Sequence, residues 1–186
     1  MNASLAKSSL RSYLRRFARD REAVSAVEFA VILPVMLSLY IGGAELGNGL
    51  SIQFKSSLAA RTVTDLASQY VSIDNATMSS ILHASSQVIA PYSGAGMTVT
   101  LSEITTNSAG QGSVTWSDSL NGTARTVGST VTLPTNLQTA NITILYGEVS
   151  YPYTPPMGYV ITGTININES IYFSPRLSTT IARVNS

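Results

Sequence analysis

The chain lacks cysteine altogether and has a single histidine, His83, among its 186 residues. The absence of cysteine excludes a disulfide framework, a thiolate nucleophile and a cysteine-based zinc site, and one histidine excludes a His-rich metal site. Charge is also scarce, because charged residues make up 11% of the chain, whereas a soluble domain carries roughly 25%. This composition argues against disorder and against a plain cytosolic enzyme, and it predicts a fold held by packing alone.

The few charges are unevenly distributed along the chain. Residues 1–23 hold six bases and two acids, a balance of +4, and residues 24–186 hold the other five bases and eight acids, a balance of −3. With this net negative charge, residues 24–186 lack the positively charged surface that nucleic-acid binding requires. We therefore expect no nucleic-acid partner.

A long apolar run follows the basic start. Residues 24–44 read VSAVEFAVILPVMLSLYIGGA, which matches the roughly 20 residues that span a bilayer. Basic residues beside such a run stay on the cytoplasmic side. The sequence therefore predicts a basic cytoplasmic leader (1–23), a transmembrane helix (24–44) and an extracytoplasmic domain (45–186).

A secretory signal peptide is the alternative for this run. Gly42 and Ala44 offer the two small residues of a cleavage site after Ala44. However, the run is longer than the roughly 7 to 15 apolar residues of a typical signal peptide. It also contains Glu28, and an intramembrane carboxylate is by default a candidate functional residue.

Three short motifs in this region resemble the start of one protein family. They are AVSAVEFA at residues 23–30, the Leu33–Pro34 pair, and GAELG at residues 43–47. Together they resemble TadE-like proteins, the minor pilins or pseudopilins of the tight-adherence (Tad, Flp-type) branch of type IV pili. The resemblance implies cleavage by a prepilin peptidase between Ala23 and Val24, although the family more often has glycine where Ala23 stands.

The same resemblance implies a place and a set of partners. The protein would sit in the bacterial inner membrane as a single-pass, N-in/C-out chain with a periplasmic domain, and would then pass into the pilus at the cell surface. Its partners would be the prepilin peptidase, other minor pilins, the major Flp pilin, the inner-membrane assembly platform and the lipid bilayer.

The implied cut would create a positive charge that Glu28 could neutralise. It would expose an α-amino group on Val24, largely cationic at neutral pH because its reference pKa is about 7.7–8.0. Glu28 lies one helical turn away and could neutralise an amine at the tip of an apolar helix. The resemblance implies that this amine belongs to a neighbouring subunit, which makes Glu28 and Phe29 the subunit-assembly residues, and Pro34 is expected to kink the helix.

The extracytoplasmic part begins with a helical pattern. Apolar residues at helical spacing predict that the helix continues to about residue 70 and packs this apolar face under the domain. The residues are Leu46, Leu50, Phe54, Leu58, Val63, Leu66 and Tyr70. A second helix is predicted from Asn75 to Ile89, with Asp74 as N-cap and Pro91 closing it. His83, on that helix, is expected at or near the surface.

Beyond residue 96 the apolar period changes to two, which predicts strands. The candidates are residues 97–102, 113–117, 130–133, 141–151 and 159–173, and we expect a mobile loop or weak hairpin over 105–128. Strands that follow one another without helices suggest an antiparallel meander. The predicted fold class is therefore α+β and type IV pilin-like, with one sheet face on the helices and a Thr-, Ser- and Asn-rich face in solvent.

Tyrosines concentrate near the end of the chain. Motifs at 148–151, 153–156 and 172–176 look similar to the tail of the family. Tyr151, Tyr153 and Tyr159 could form a partner-binding surface, or they could pack under the 152–158 loop, since aromatic side chains are first of all core residues.

The sequence offers no enzyme motif. The acids are scattered, and no nucleophile elbow, P-loop, zinc-protease or EF-hand pattern occurs. We therefore expect no catalytic residue, cofactor or metal. Two functions stay open, a Tad-type minor pilin and a periplasmic or secreted β-rich binding module that is either released by signal peptidase or anchored in the membrane.

Overall fold

The computed structural model describes residues 21–158 and 162–184. The chain divides into two compact units. The first contains the helix up to Leu46 and the segment 156–162, and the second contains Gly47–Pro155 and the chain from Gly163 onward. We call the second unit the head. The predicted leader up to Asp20 and the residue Tyr159 lie outside the described residues.

The first element is a long helix, α1, which runs from Arg21 to Ser68. It starts three residues before the predicted start at residue 24 and ends two residues before the predicted end at about residue 70. Pro34 lies inside the helix, where it removes one backbone donor. The Ser38 hydroxyl donates to the Pro34 carbonyl at 2.8 Å, so the helix carries a local side-chain bond at this point.

The prediction of which face α1 buries in the head is wrong. Leu50, Phe54 and Leu58 are 56%, 75% and 53% exposed, although the apolar face of seven residues was expected to pack under the domain. Leu46 and Tyr70 are exposed as well, and Val63 alone of the seven is fully buried. The face that packs is made mainly of small side chains, namely Ile52, Ser56, Ala59, Ala60, Val63, Thr64, Ala67 and Ser68.

Small residues face the sheet because the backbones approach closely there. A side chain at Gly147 would place its first carbon 2.0 Å from the Thr64 hydroxyl oxygen and 3.1 Å from the Ala60 carbonyl oxygen. Neither atom leaves room for it, so glycine is required on the strand. A pattern that scores large apolar residues does not detect this contact, since its participants are Gly, Ala and Thr.

The second helix, α2, runs from Asn75 to Gln87 and confirms its prediction closely. The Asp74 side chain caps it by accepting from the Thr77 N–H at 2.7 Å. This bond lowers the pKa of Asp74, because it favours the charged carboxylate. His83 is exposed, as expected.

Five strands form the main sheet, which is antiparallel throughout. They are β2 (Thr98–Thr106), β3 (Gly112–Leu120), β4 (Thr130–Val131), β5 (Thr143–Tyr153) and β6 (Ile165–Phe173). Their spatial order is β4-β3-β2-β5-β6. The sheet is therefore not a simple meander, because the chain crosses back after β4 and places β5 beside β2. The segment expected as a loop or weak hairpin contains all of β3, which pairs with residues 99–106 of β2.

A second, two-stranded sheet holds the end of the chain. Here β1 (Ser72–Ile73) pairs in parallel with β7 (Ala182–Arg183), a pairing that the sequence does not predict. Arg183 also attaches β7 to β3 of the main sheet, with two bonds to the Asp118 carboxylate at 2.9 and 3.0 Å. Arg176 also forms an ion pair with Asp65 near the end of α1. The segment 176–183 is thus bonded to α1, to β1 and to the main sheet.

The two faces of the main sheet bury different cores. The larger core lies between the sheet and the helices and includes Val99, Leu101, Leu145 and Val149. A smaller core covers part of the opposite face and consists of Ile104, Val114, Val131, Leu133 and Ile144. The expected Thr-, Ser- and Asn-rich face is therefore only partly open to solvent.

Candidate assembly surfaces

The apolar part of α1 in the first unit is exposed from Val24 to Tyr40. Of the described helices, α1 is long and apolar enough to cross a membrane. None of its most apolar window is buried inside the protein, and Phe29 is 61% exposed. This finding is consistent with anchoring in a membrane.

The two residues of the predicted assembly pair lie on this helix. Val24 and Glu28 are four positions apart within α1, so their side chains project from the same face, one turn apart. Both are exposed. The Ala23–Val24 bond lies in the first turn of α1, and cleavage there stays a prediction, as do the assembly roles of Glu28 and Phe29 and the kink at Pro34.

The head presents a further exposed apolar row, Leu50, Phe54 and Leu58, which we call the apolar stripe. Its members are spaced four residues apart on α1, so they form one surface. Exposed apolar residues that stand singly are ordinary, but a contiguous row on one helix face marks an interaction surface. Sequence reasoning found these residues and assigned them to the wrong environment.

Two tyrosines of the predicted partner surface, Tyr151 and Tyr153, lie within the described residues and pack in the larger core. Tyr153 is 5% exposed, belongs to the larger core, and places its ring 3.5 Å from the position that a side chain on Gly49 would occupy. Tyr151 is half-buried and packs against the same core. Both positions agree with the packing alternative. Burial raises the pKa of the Tyr151 hydroxyl.

A cluster that the sequence did not reveal lies on the opposite face of the sheet. The rings of Tyr146 and Tyr172 are stacked, with centroids 4.5 Å apart and planes inclined by 6°, because the two residues stand directly opposite each other on β5 and β6. The Arg125 guanidinium lies 5.3 Å from the Tyr146 ring centroid and donates to both carboxylate oxygens of Glu148, at 2.9 and 2.7 Å.

This arrangement fixes the charge of the cluster. The hydrogen bond to Glu148 raises the pKa of Arg125, and burial raises the pKa of Tyr146, so at neutral pH the guanidinium is charged and the phenol is neutral. Sequence reasoning missed the cluster because its members come from three separate segments. The loop 121–128, which carries Arg125, gives no periodic signal.

Residues 21–158 and 162–184 contain no group of three His, Asp or Glu side chains placed to hold a metal ion.

Comparison with known proteins finds one family. No curated protein and no solved structure matches the chain. The family model described as "TadE-like protein" matches residues 23–65, a segment that begins beside the predicted cut and extends beyond the apolar stripe. This match confirms the resemblance and supports a role as a minor pilin associated with a Tad pilus. Residues 23–65 of this chain are therefore similar to TadE-like proteins.

Proposed function

We propose that this protein is a minor pilin required for assembly of a Tad-type pilus. A prepilin peptidase cuts it between Ala23 and Val24, and the chain then enters the pilus or its initiating complex. Before cleavage it spans the bacterial inner membrane with residues 1–23 in the cytoplasm and the head in the periplasm. It acts by assembly and not as an enzyme.

One observation carries this proposal, namely the TadE-like match over residues 23–65. The matched segment contains the features that pilin assembly requires, which are a small residue before the cut, an acid at the fifth position after it, and a long apolar helix. Its partners are accordingly the prepilin peptidase, other minor pilins, the major Flp pilin and the membrane assembly platform.

The exposure of α1 supports the same function on physical grounds. The apolar run loses its lipid contacts when a subunit leaves the membrane, and its exposed side chains then need another apolar partner. The apolar stripe of the head has no cover in the described part of the chain either. A helix that its own fold leaves uncovered in this way is suited to pack against helices of other subunits.

Intact mass and N-terminal sequencing of protein recovered from membranes test the cleavage. With the prepilin peptidase co-expressed, we expect a chain that begins at Val24, and without the peptidase we expect the uncut chain. A matched Ala23→Glu variant places a large charged residue before the cut and should stay uncut in both strains.

Other N-termini would contradict the proposal in different ways. A chain beginning at Glu45 would show cleavage by signal peptidase and a released β-rich binding module. A chain that stays uncut despite active peptidase would show a permanently anchored domain.

The apolar stripe gives a second prediction. Replacing Phe54 by glutamate should reduce the amount of this protein in sheared pili by about tenfold or more, because loss of a central aromatic anchor costs roughly 2 kcal/mol or more of binding free energy. The stability of the head should change by less than about 0.5 kcal/mol, since the ring is 75% exposed. Immunoblots of pilus and membrane fractions measure the distribution.

Gln53→Glu is the matched control for this variant. It adds the same charge at the neighbouring exposed position, about 100° away around the helix, and should leave incorporation at the wild-type level. Equal incorporation of both variants would remove the apolar stripe from the assembly surface.

A further inference from the structure

The outer edge of β6 is the longest unpaired backbone edge of the main sheet. β6 spans nine residues, Ile165–Phe173, and pairs with β5 along its whole length on one side. On its other side, no strand of the described chain pairs with it. Such an edge presents a row of backbone donors and acceptors that another strand can use.

The register identifies which residues present these groups. The Thr106 N–H donates to the Ile142 carbonyl at 2.9 Å, and β2 and β5 continue from there in unbroken register. Bonding direction alternates along an antiparallel strand, so the even-numbered residues of β5 bond to β2 and its odd-numbered residues bond to β6. The backbone groups of β6 that point outward are therefore those of Asn166, Asn168, Ser170 and Tyr172.

The first three residues of β3 are covered at the opposite edge of the sheet, so that edge is partly closed. Beyond β3 lie β4 and the loop before it, with the Val114 N–H bonded to the Ser129 carbonyl at 3.0 Å and the Gly128 N–H to the Val114 carbonyl at 2.8 Å. β6 has only one of the usual protective features of an edge, the charge of Glu169, because it contains no Lys, Arg or Pro and pairs with β5 without a bulge.

One charge interrupts the inner face of β6. The odd-numbered residues of β6 lie on this face, and Glu169, which stands opposite Val149, is its charged member. The others are Ile165, Ile167, Ile171 and Phe173. The Glu169 side chain is half-buried, and among the described residues its carboxylate has no ion-pair partner within 4.0 Å. Like charges placed opposite each other on paired strands are destabilising. The carboxylate therefore disfavours a second copy of this strand centred on Glu169 and favours a strand that brings a base.

We propose that the outer edge of β6 binds an extended segment of another protein as a sixth strand. The segment carries apolar side chains at alternate positions, which extend the row of Ile167 and Ile171, and one Lys or Arg that faces Glu169. Backbone bonds to residues such as Asn168 and Ser170 supply affinity, and the central ion pair selects the segment and its register. This inference stands on the geometry of the head and does not depend on cleavage or on pilus assembly.

Two fluorescent peptides test the proposal on the full chain in detergent micelles. Both have acetylated and amidated ends and the pattern Val-Thr-Val-Thr-X-Thr-Val-Thr-Val, with lysine or glutamate as the central residue X. By fluorescence anisotropy, we expect the lysine peptide to bind about fivefold more tightly than the glutamate peptide. The difference should shrink at high salt, since exposed charges are screened.

Variants of β6 separate the backbone contribution from the charge. Asn168→Pro removes one outward N–H and leaves every bond to β5 in place, so it should weaken binding of the lysine peptide by tenfold or more. Asn168→Ala, its matched control, keeps the N–H and should bind within twofold of the wild type. Glu169→Lys should reverse the preference between the two peptides, and this readout does not depend on the proline variant being folded.

Several results would overturn the proposal. They are failure of both peptides to bind, equal affinity for the two peptides, and unchanged binding by a folded Asn168→Pro chain. Dimerisation of the wild-type chain that Asn168→Pro abolishes would assign the edge to a second copy instead.

Discussion

Replacing Glu103 by leucine is expected to lower the free energy of unfolding of the head by about 1–3 kcal/mol, the cost of leaving a buried donor without a partner. Glu103 is 1% exposed, and its carboxylate accepts from the Ile181 N–H at 2.7 Å. Leucine has a similar volume but offers no acceptor. Urea denaturation of the full chain in micelles, followed by the fluorescence of Trp116, the single tryptophan, measures the loss.

Two side chains hold the backbone of Ile181 from both sides. The Trp116 indole donates to the Ile181 carbonyl at 2.8 Å while Glu103 accepts from its N–H. Glu103 and Trp116 are opposite each other where the register of β2 and β3 shifts, at a bulge that leaves Thr115 as the extra residue. A β-bulge changes the direction in which nearby side chains project. This bulge lies where the side chains of Glu103 and Trp116 both bond to Ile181.

Glu103→Gln is the matched control, because glutamine keeps an acceptor oxygen and removes the charge. Burial raises the pKa of Glu103, so the folded state binds its proton more tightly than the unfolded state. The stability that this proton contributes is complete at low pH and falls as pH rises from the unfolded pKa, near 4.5, through the higher folded pKa.

Because neither leucine nor glutamine titrates, both variants should therefore gain stability relative to the wild type as pH rises. The advantage of wild type over Glu103→Leu should be largest near pH 4 and smaller at pH 8. Relative to wild type, Glu103→Gln should gain stability over the same range. A constant difference between wild type and Glu103→Gln from pH 4 to pH 8 would show that Glu103 does not titrate in this window.

Local sequence signals predicted the elements that depend on local chemistry. The capped helix α2 begins at its predicted residue because Asp74 can satisfy a free N–H of the first turn wherever the helix packs. The alternation from Met97 to Leu101 likewise indicated β2, since a strand with one buried face needs that period. The family motifs around Glu28 were detectable because they are contiguous.

Features that depend on distant partners were not predictable in this way. The buried face of α1 is set by Gly147, which lies about eighty residues further along the chain and admits Ala60 and Thr64 at close range. The order of the sheet depends on where the chain returns after β4, and no periodic pattern records it. The contact of Glu103 with Ile181 spans 78 residues, so a lone acid in a strand gave no indication of its partner.

The exposure of α1 is consistent with the similarity of residues 23–65 to TadE-like proteins. In the head, α1 exposes Leu50, Phe54 and Leu58, and its packing face is built mainly from small residues. This choice is costly for an isolated chain, because it leaves apolar area in water. It is consistent with a subunit whose helix is covered from outside, by lipid or by other helices.

Within that helix, replacing Glu28 by alanine is expected to abolish entry into the pilus complex while leaving cleavage at Val24 intact. The α-amino group that the proposed cut would create is expected to be cationic, and a charge without a partner is costly in an apolar helix bundle. Glu28→Gln should fail in the same way, since it keeps the shape of the side chain and removes the charge. Mass spectrometry checks the cleavage, and co-purification with the other pilins checks the assembly.

Ser38→Ala is the matched control, because it removes another polar group from the same apolar run. The Ser38 hydroxyl bonds to the Pro34 carbonyl of its own helix, so its loss should not affect contacts between subunits, and incorporation should stay at the wild-type level. Wild-type co-purification of Glu28→Ala would show that the carboxylate does not pair with an amine during assembly. Failure of cleavage in Glu28→Ala would instead place the role of Glu28 at the peptidase, before any subunit contact is made.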